Sequence, residues 1–149
     1  MRRIVVLIGS FFYTGFFPVA PATFASFLWL LAYLFIPHFS WLVTPYSLVV
    51  TLPLAVFTAN EMEKYYGHDA HEIVIDEVVG MQITLLLVRP DITTALIGFV
   101  LFRVFDIAKP FPVGLSQKLR GGYGVVIDDF LAGVYSRVVL FLIVKFIVK

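Results

Sequence analysis

Residues 73–110 read IVIDEVVGMQITLLLVRPDITTALIGFVLFRVFDIAKP, two apolar runs joined at Arg89-Pro90-Asp91. So short a polar break predicts an antiparallel helical hairpin. The acids fall at one end of it, because Asp76-Glu77 opens the first run and Asp106 closes the second. Working outward, further apolar runs cover 23–36, 46–59 and 125–148, with breaks at Pro37, Gly67 and 110–124. The expected fold is all-α, a polytopic membrane helix bundle with about five membrane helices plus a short N-terminal apolar segment. Several runs fall short of the ~20 residues that cross a hydrocarbon core, so their polar ends must extend the helices or the bilayer must thin locally.

Composition supports that class. The 149 residues are 60% hydrophobic and 14% charged, more apolar than a soluble domain of this length requires. The runs and their connections use the whole length without a Ser-rich or charged linker, so residues 1–149 are expected to form one domain. A net charge of +1 gives no case for nucleic acid, and the absence of cysteine excludes disulfides and thiolate chemistry. The start, Met1-Arg2-Arg3 and then Ile4 to Ile8, has the look of a signal peptide ending near Ala22. Pro18, Pro21 and the apolar stretch that follows argue against cleavage, so residues 4–17 are expected to be retained as an interfacial helix or a span. Phe11, Phe12, Phe16, Phe17, Trp29 and Trp41 read as lipid-facing or interfacial aromatics and imply no cofactor.

If the segments alternate in direction, Asp76-Glu77, Asp106 and Asp128-Asp129 all lie on one face. That face also collects Lys64, Arg103, Lys109, Lys118 and Arg120, against Arg89, Lys145 and Lys149 opposite, which predicts a cytoplasmic orientation. An ionised group costs roughly 3 kcal/mol at the centre of a membrane helix, so this cluster needs a function or a counter-charge. Mg²⁺ takes oxygen ligands, is held by carboxylates together with water and substrate phosphate, and would keep neighbouring acids ionised. The five carboxylates are therefore candidate metal ligands and catalytic groups.

Competing readings apply to individual residues. Acids in a first helical turn complement the helix dipole, although that does not cover Asp106 at the end of its run. Arg103 lies three residues before Asp106, so an intrahelical ion pair competes with a phosphate contact. Lys109 precedes Pro110, which biases it out of the helix and suits it to hold phosphate. Thr23 reads as a helix N-cap with a second role toward substrate, and Ser26 follows one turn on. Gly121-Gly122-Tyr123-Gly124 is either an anion-binding turn or a plain loop. His68 and Asp69 are site candidates in a loop where solvated side chains are the default.

Four blocks carry a family likeness: Pro18 to Ser26 (PVAPATFAS), Asp76 to Gly80 (DEVVG), Phe102 to Pro112 (FRVFDIAKPFP) and Gly121 to Gly133 (GGYGVVIDDFLAG). In order and over nearly the whole chain, they resemble the signature blocks of the phosphatidylglycerophosphatase A family. The resemblance implies a bacterial inner-membrane, multi-pass, Mg²⁺-dependent phosphatase that converts phosphatidylglycerophosphate to phosphatidylglycerol, with membrane lipids as partners. Ala22 and Ala25 replace two glycines of the family's first block, which puts close backbone approach there in doubt. On this reading Asp76, Glu77, Asp106, Asp128 and Asp129 hold metal, Lys109 and Arg103 stabilise the phosphoryl group, and Thr23 and Ser26 contact substrate. Direct water attack and an aspartyl-phosphate both remain open. The alternatives are a phosphatase of another phospholipid phosphate, a cation-binding transporter and a non-catalytic scaffold. A transporter would place its acids near the bilayer midplane rather than at helix ends.

Overall fold

The computed structural model describes residues 2–116, 119 and 121–146. Lys118, Arg120, Lys149 and the end of the last apolar run fall outside them. Seven α-helices, and no strand, form among the described residues: α1 Arg2–Gly9, α2 Pro21–Phe35, α3 Pro45–Tyr66, α4 Ile75–Thr84, α5 Ile92–Ala108, α6 Val113–Ser116 and α7 Gly122–Phe146. Short 3₁₀ turns lie at Thr14–Phe16 and Phe39–Val43.

Local chemistry explains the boundaries. Pro21 and Pro45 occupy first helical positions, where a missing N–H costs nothing. Asp91 caps α5 by accepting the Thr94 N–H at 2.8 Å. Lys109 ends α5 in the left-handed region with φ 41°, and Pro110 follows it. Ala20, not Thr23, is the N-cap of α2, so Thr23 lies inside the helix and the expected capping role fails.

The largest departure is α4. The expected run 73–88 is a helix of only 10 residues, and every one of them is buried. It ends where the backbone turns, with Leu87 at φ 58° and its N–H donating to the Val43 carbonyl at 2.8 Å. α4 is thus a central peg, packed against α7, α5, α3 and α2. Glycines let the peg approach α7. A Cβ on Gly133 would stand 2.7 Å from the Gly80 carbonyl oxygen, and one on Gly80 would meet the Phe102 ring at 2.2 Å.

The expected membrane bundle is overturned. Among the described residues, no helix is long and apolar enough to cross a membrane. This also removes the expected placement as a multi-pass inner-membrane protein with its active site facing the cytoplasm. Helices α2, α4 and α5 have 15, 10 and 17 residues, below the ~20 a span needs. α3 has the length but contains Pro53, Glu61, Glu63 and Lys64, and α7 carries Asp128, Asp129, Arg137 and Lys145. Apolar side chains such as Val50, Phe57, Val100, Val104, Val138 and Phe141 nevertheless stand on the outer surface.

Candidate active site

The N-terminal turn of α4, the C-terminal end of α5 and the first turns of α7 enclose a cavity of about 330 Å³. Asp76, Glu77, Arg103, Asp106, Lys109, Asp128 and Asp129 line it, with Asp69, His71, Pro21 and Ala22 at its wall. One oxygen from each of Asp106, Asp128 and Asp129 lies within 4.8 Å of the others, a spacing that a single cation can bridge. All five carboxylates of α4, α5 and α7 are buried.

Two cations are threaded among them. Arg103 Nη1 donates to Glu77 Oε2 at 2.5 Å and lies 3.2 Å from Asp106 Oδ2. The intrahelical pair weighed from spacing is present, and Arg103 also links α5 to α4. Lys109, released from the helix by its left-handed backbone, donates from Nζ to Asp128 Oδ2 at 2.6 Å and stands 3.9 Å from Asp106 Oδ1. Asp76 Oδ1, Asp129 Oδ2 and Arg103 Nε are buried without a hydrogen-bond partner among the described residues. Native structures leave few such atoms, so three at one cavity mark a place built for something else to bind.

A family model described as Phosphatidylglycerophosphatase A matches residues 7–144. The chain belongs to the phosphatidylglycerophosphatase A family. It is accordingly a phosphatase. A Bacteroides thetaiotaomicron protein named "Putative phosphatidylinositol-3-phosphatase" is 42% identical over 144 residues, covering 91% of this chain and 90% of its own. Phosphatidylglycerophosphatase A of Escherichia coli K12 is 36% identical over 137 residues, covering 89% of this chain and 78% of its own. Phosphatidylglycerophosphatase A of Haemophilus influenzae is 46% identical over 79 residues, about half of each chain. No solved structure gives a significant match.

Within this family member the electrostatics are lopsided. Burial, reinforced by neighbouring carboxylates, pushes Asp76 and Asp129 well above the usual carboxylate range. Burial also lifts Glu77 to about 7 against the pull of Arg103, and lifts Asp128 against the pull of Lys109. Burial alone would lower Lys109, but its bond to Asp128 together with the charges of Asp128, Asp106 and Asp129 outweighs that, and the ammonium is held more firmly than usual. Five buried carboxylates face only two cations in this cavity, and the raised values express that shortage of positive charge.

The remaining sequence candidates divide. Ser26 Oγ is buried and lies 3.1 Å from Glu77 Oε2 and 2.8 Å from the Ala22 carbonyl, so it supports an acid from behind. Thr23 is outside the acidic cavity and lines the adjoining apolar surface. His68 contacts Glu63 and is exposed, whereas Asp69 reaches the cavity wall. Gly122 donates its N–H to Asn60 Oδ1 at 3.2 Å, and a Cβ there would meet the Val56 carbonyl at 2.3 Å. That glycine serves helix approach, not anion binding. Sequence reasoning assigned no role to His71, which reaches the cavity, or to Gly80 and Gly133, which let the acids of α4 and α7 converge. The two glycines stood inside the quoted blocks, Gly80 three residues after Glu77 and Gly133 four residues after Asp129, and that spacing was the available signal.

Proposed function

We propose that this chain is a Mg²⁺-dependent lipid phosphatase that hydrolyses phosphatidylglycerophosphate to phosphatidylglycerol and phosphate. The observation that carries the reading is the cavity with five buried carboxylates, two bridging cations and orphaned carboxylate oxygens. Its donors are all hard oxygens, which fits Mg²⁺ rather than a soft metal. Asp106, Asp128 and Asp129 would hold one ion, with Asp76 and Glu77 completing that site or a second. Such an ion supplies positive charge against the phosphoryl oxygens and acidifies the attacking water.

The chain's own groups do the rest. Lys109 swings its ammonium from Asp128 to a phosphoryl oxygen, neutralising charge as the bond from water oxygen to phosphorus forms and the P–O bond to glycerol breaks, with the proton lost by the water ending on the leaving glycerol oxygen. Glu77 and Asp106 brace the Arg103 guanidinium, limiting the freedom it must lose when it meets the phosphate. Burial of the acids excludes bulk water, so each charge acts in a weaker dielectric.

A second reading has a specific support, since the 42% identical relative is named for a phosphoinositide. Phosphate release from phosphatidylglycerophosphate and from phosphatidylinositol 3-phosphate, with Mg²⁺ and with chelator, separates the two. Release from the glycerol lipid that requires metal supports the reading. Release from the inositol lipid alone replaces its substrate, and release that survives chelation removes its metal.

A further inference from the structure

The acidic cavity does not stand alone. Arg103 and Ile107 line both it and an apolar space of about 530 Å³, whose other walls include Thr23, Val100 and Val104. Thr23 and Phe99 carry this space into a third of about 350 Å³ beside Phe27. Sharing these walls, the two apolar spaces make a hydrocarbon-lined trough between α2 and α5, with the charged cavity adjoining it at one end. Val100, Val104 and Ile107 are 56%, 52% and 72% exposed, so the trough opens outward along its length. Phe27 and Phe99 meet edge to face at 6.1 Å and form its floor at the far end.

We propose that this trough seats the glycerol-proximal acyl segments of the lipid whose phosphate enters the cavity, with Arg103 marking the boundary between headgroup and hydrocarbon. The inference rests on the lipid-phosphatase reading and adds where the lipid lies. Continuity decides it. A single amphiphile with an anionic head and an apolar tail matches a surface whose polarity changes in the same order, and a soluble phosphomonoester leaves the trough exposed. Arg103 suits the boundary because its Nη1 faces the acids while its Nε–H has no acceptor among the described residues. The larger apolar groove between α3 and α7, about 730 Å³, shares no lining residue with the cavity. It lies along Ile127 and Phe130, the residues that flank the acid pair on α7, so it is the rival seat that the experiment must distinguish from the trough.

The test is photo-crosslinking of the full chain in detergent micelles, using phosphatidylglycerophosphate with a diazirine in one acyl chain. Labelled peptides are mapped by mass spectrometry, a diacylglycerol carrying the same diazirine is the control, and phosphate release from the probe is followed in parallel. Labels are expected on α2 and α5 around Phe27, Val100 and Val104. They should fall about tenfold with the diacylglycerol, and by a similar factor in Val104→Trp, which fills the trough from a half-exposed position. Labels centred on α3 and α7, an even spread, labelling indifferent to the phosphate, or no labelling would each overturn the trough. Trough labelling without phosphate release would support the trough and sink the substrate assignment. Release with labels elsewhere would do the reverse.

Discussion

The two ends of α4 treat buried polarity in opposite ways. Near its C-terminus, Gln82 is 1% exposed and saturated: its amide donates to Ser47 Oγ at 2.7 Å and to the Leu42 carbonyl, and its carbonyl accepts from Thr51 at 2.8 Å. At its N-terminus, Asp76 keeps an oxygen unpaired among the described residues and faces Glu77, Asp128 and Asp129, all buried. One helix thus carries a polar network that fixes the fold and a charge cluster that opposes it. Uncompensated buried charge costs several kcal/mol, and a protein retains it where a ligand repays the cost.

The sharpest way to break this comparison is to neutralise an acid. Asp129→Asn keeps the side-chain shape and removes a charge that has no cation bonded to it among the described residues. Phosphate release should fall by about 100-fold or more, while thermal stability without metal holds or rises. A fall in melting temperature with activity intact would reverse the roles of the two ends. Gln82→Leu is the mirror experiment. It removes the three hydrogen bonds of the buried amide, leaving the Ser47 and Thr51 hydroxyls only their backbone acceptors, and should cost about 2 kcal/mol in a denaturant titration, with turnover changed only severalfold. Loss of turnover in a protein of wild-type stability would mean that the network serves the site directly.

Protons and metal should compete at the acidic end alone. Because Glu77 is raised to about 7 and Asp76, Asp128 and Asp129 are raised with it, the metal-free folded state binds protons more tightly than the unfolded chain. The contribution is fully present below the unfolded values and is lost as pH rises through the folded ones. Chelated protein should therefore melt higher near about pH 5.5 than near about pH 8, and Mg²⁺ should raise the melting temperature more at the higher pH. Equal Mg²⁺ stabilisation at both values would show that these carboxylates are not its ligands.

Much of the site was legible in the chain, by an argument whose premise failed. Alternating segments put Asp76, Glu77, Asp106, Asp128 and Asp129 at one end, and there the structure gathers them. Alternation of direction survives shortening, so the acids meet even though α4 is a 10-residue peg rather than a span. Composition could not reveal the peg, because an apolar run reads alike whether it is buried in protein or facing lipid. The break at Leu85 to Leu87 carries no glycine or proline, and the turn there is imposed by a tertiary bond to Val43. The exit of Lys109 from the helix was legible because proline disfavours the helical region for the residue before it, although Lys109 takes the left-handed region and not the extended one that this rule favours.

Thr23 gives the smallest expected effect and separates local from tertiary reasoning. Position after Pro21-Ala22 made it a capping residue, yet the cap falls on Ala20 in the left-handed region, and Thr23 sits within the first turn of α2. Thr23→Ala should change stability by less than about 0.5 kcal/mol, where loss of a true cap costs about 1. Its place where the two apolar spaces join predicts that the same substitution leaves kcat near wild type and shifts KM modestly for a long-chain lipid. A matched loss of kcat on lipid and on a soluble phosphomonoester would instead put Thr23 on the reacting phosphate and shift the boundary of the cavity toward α2.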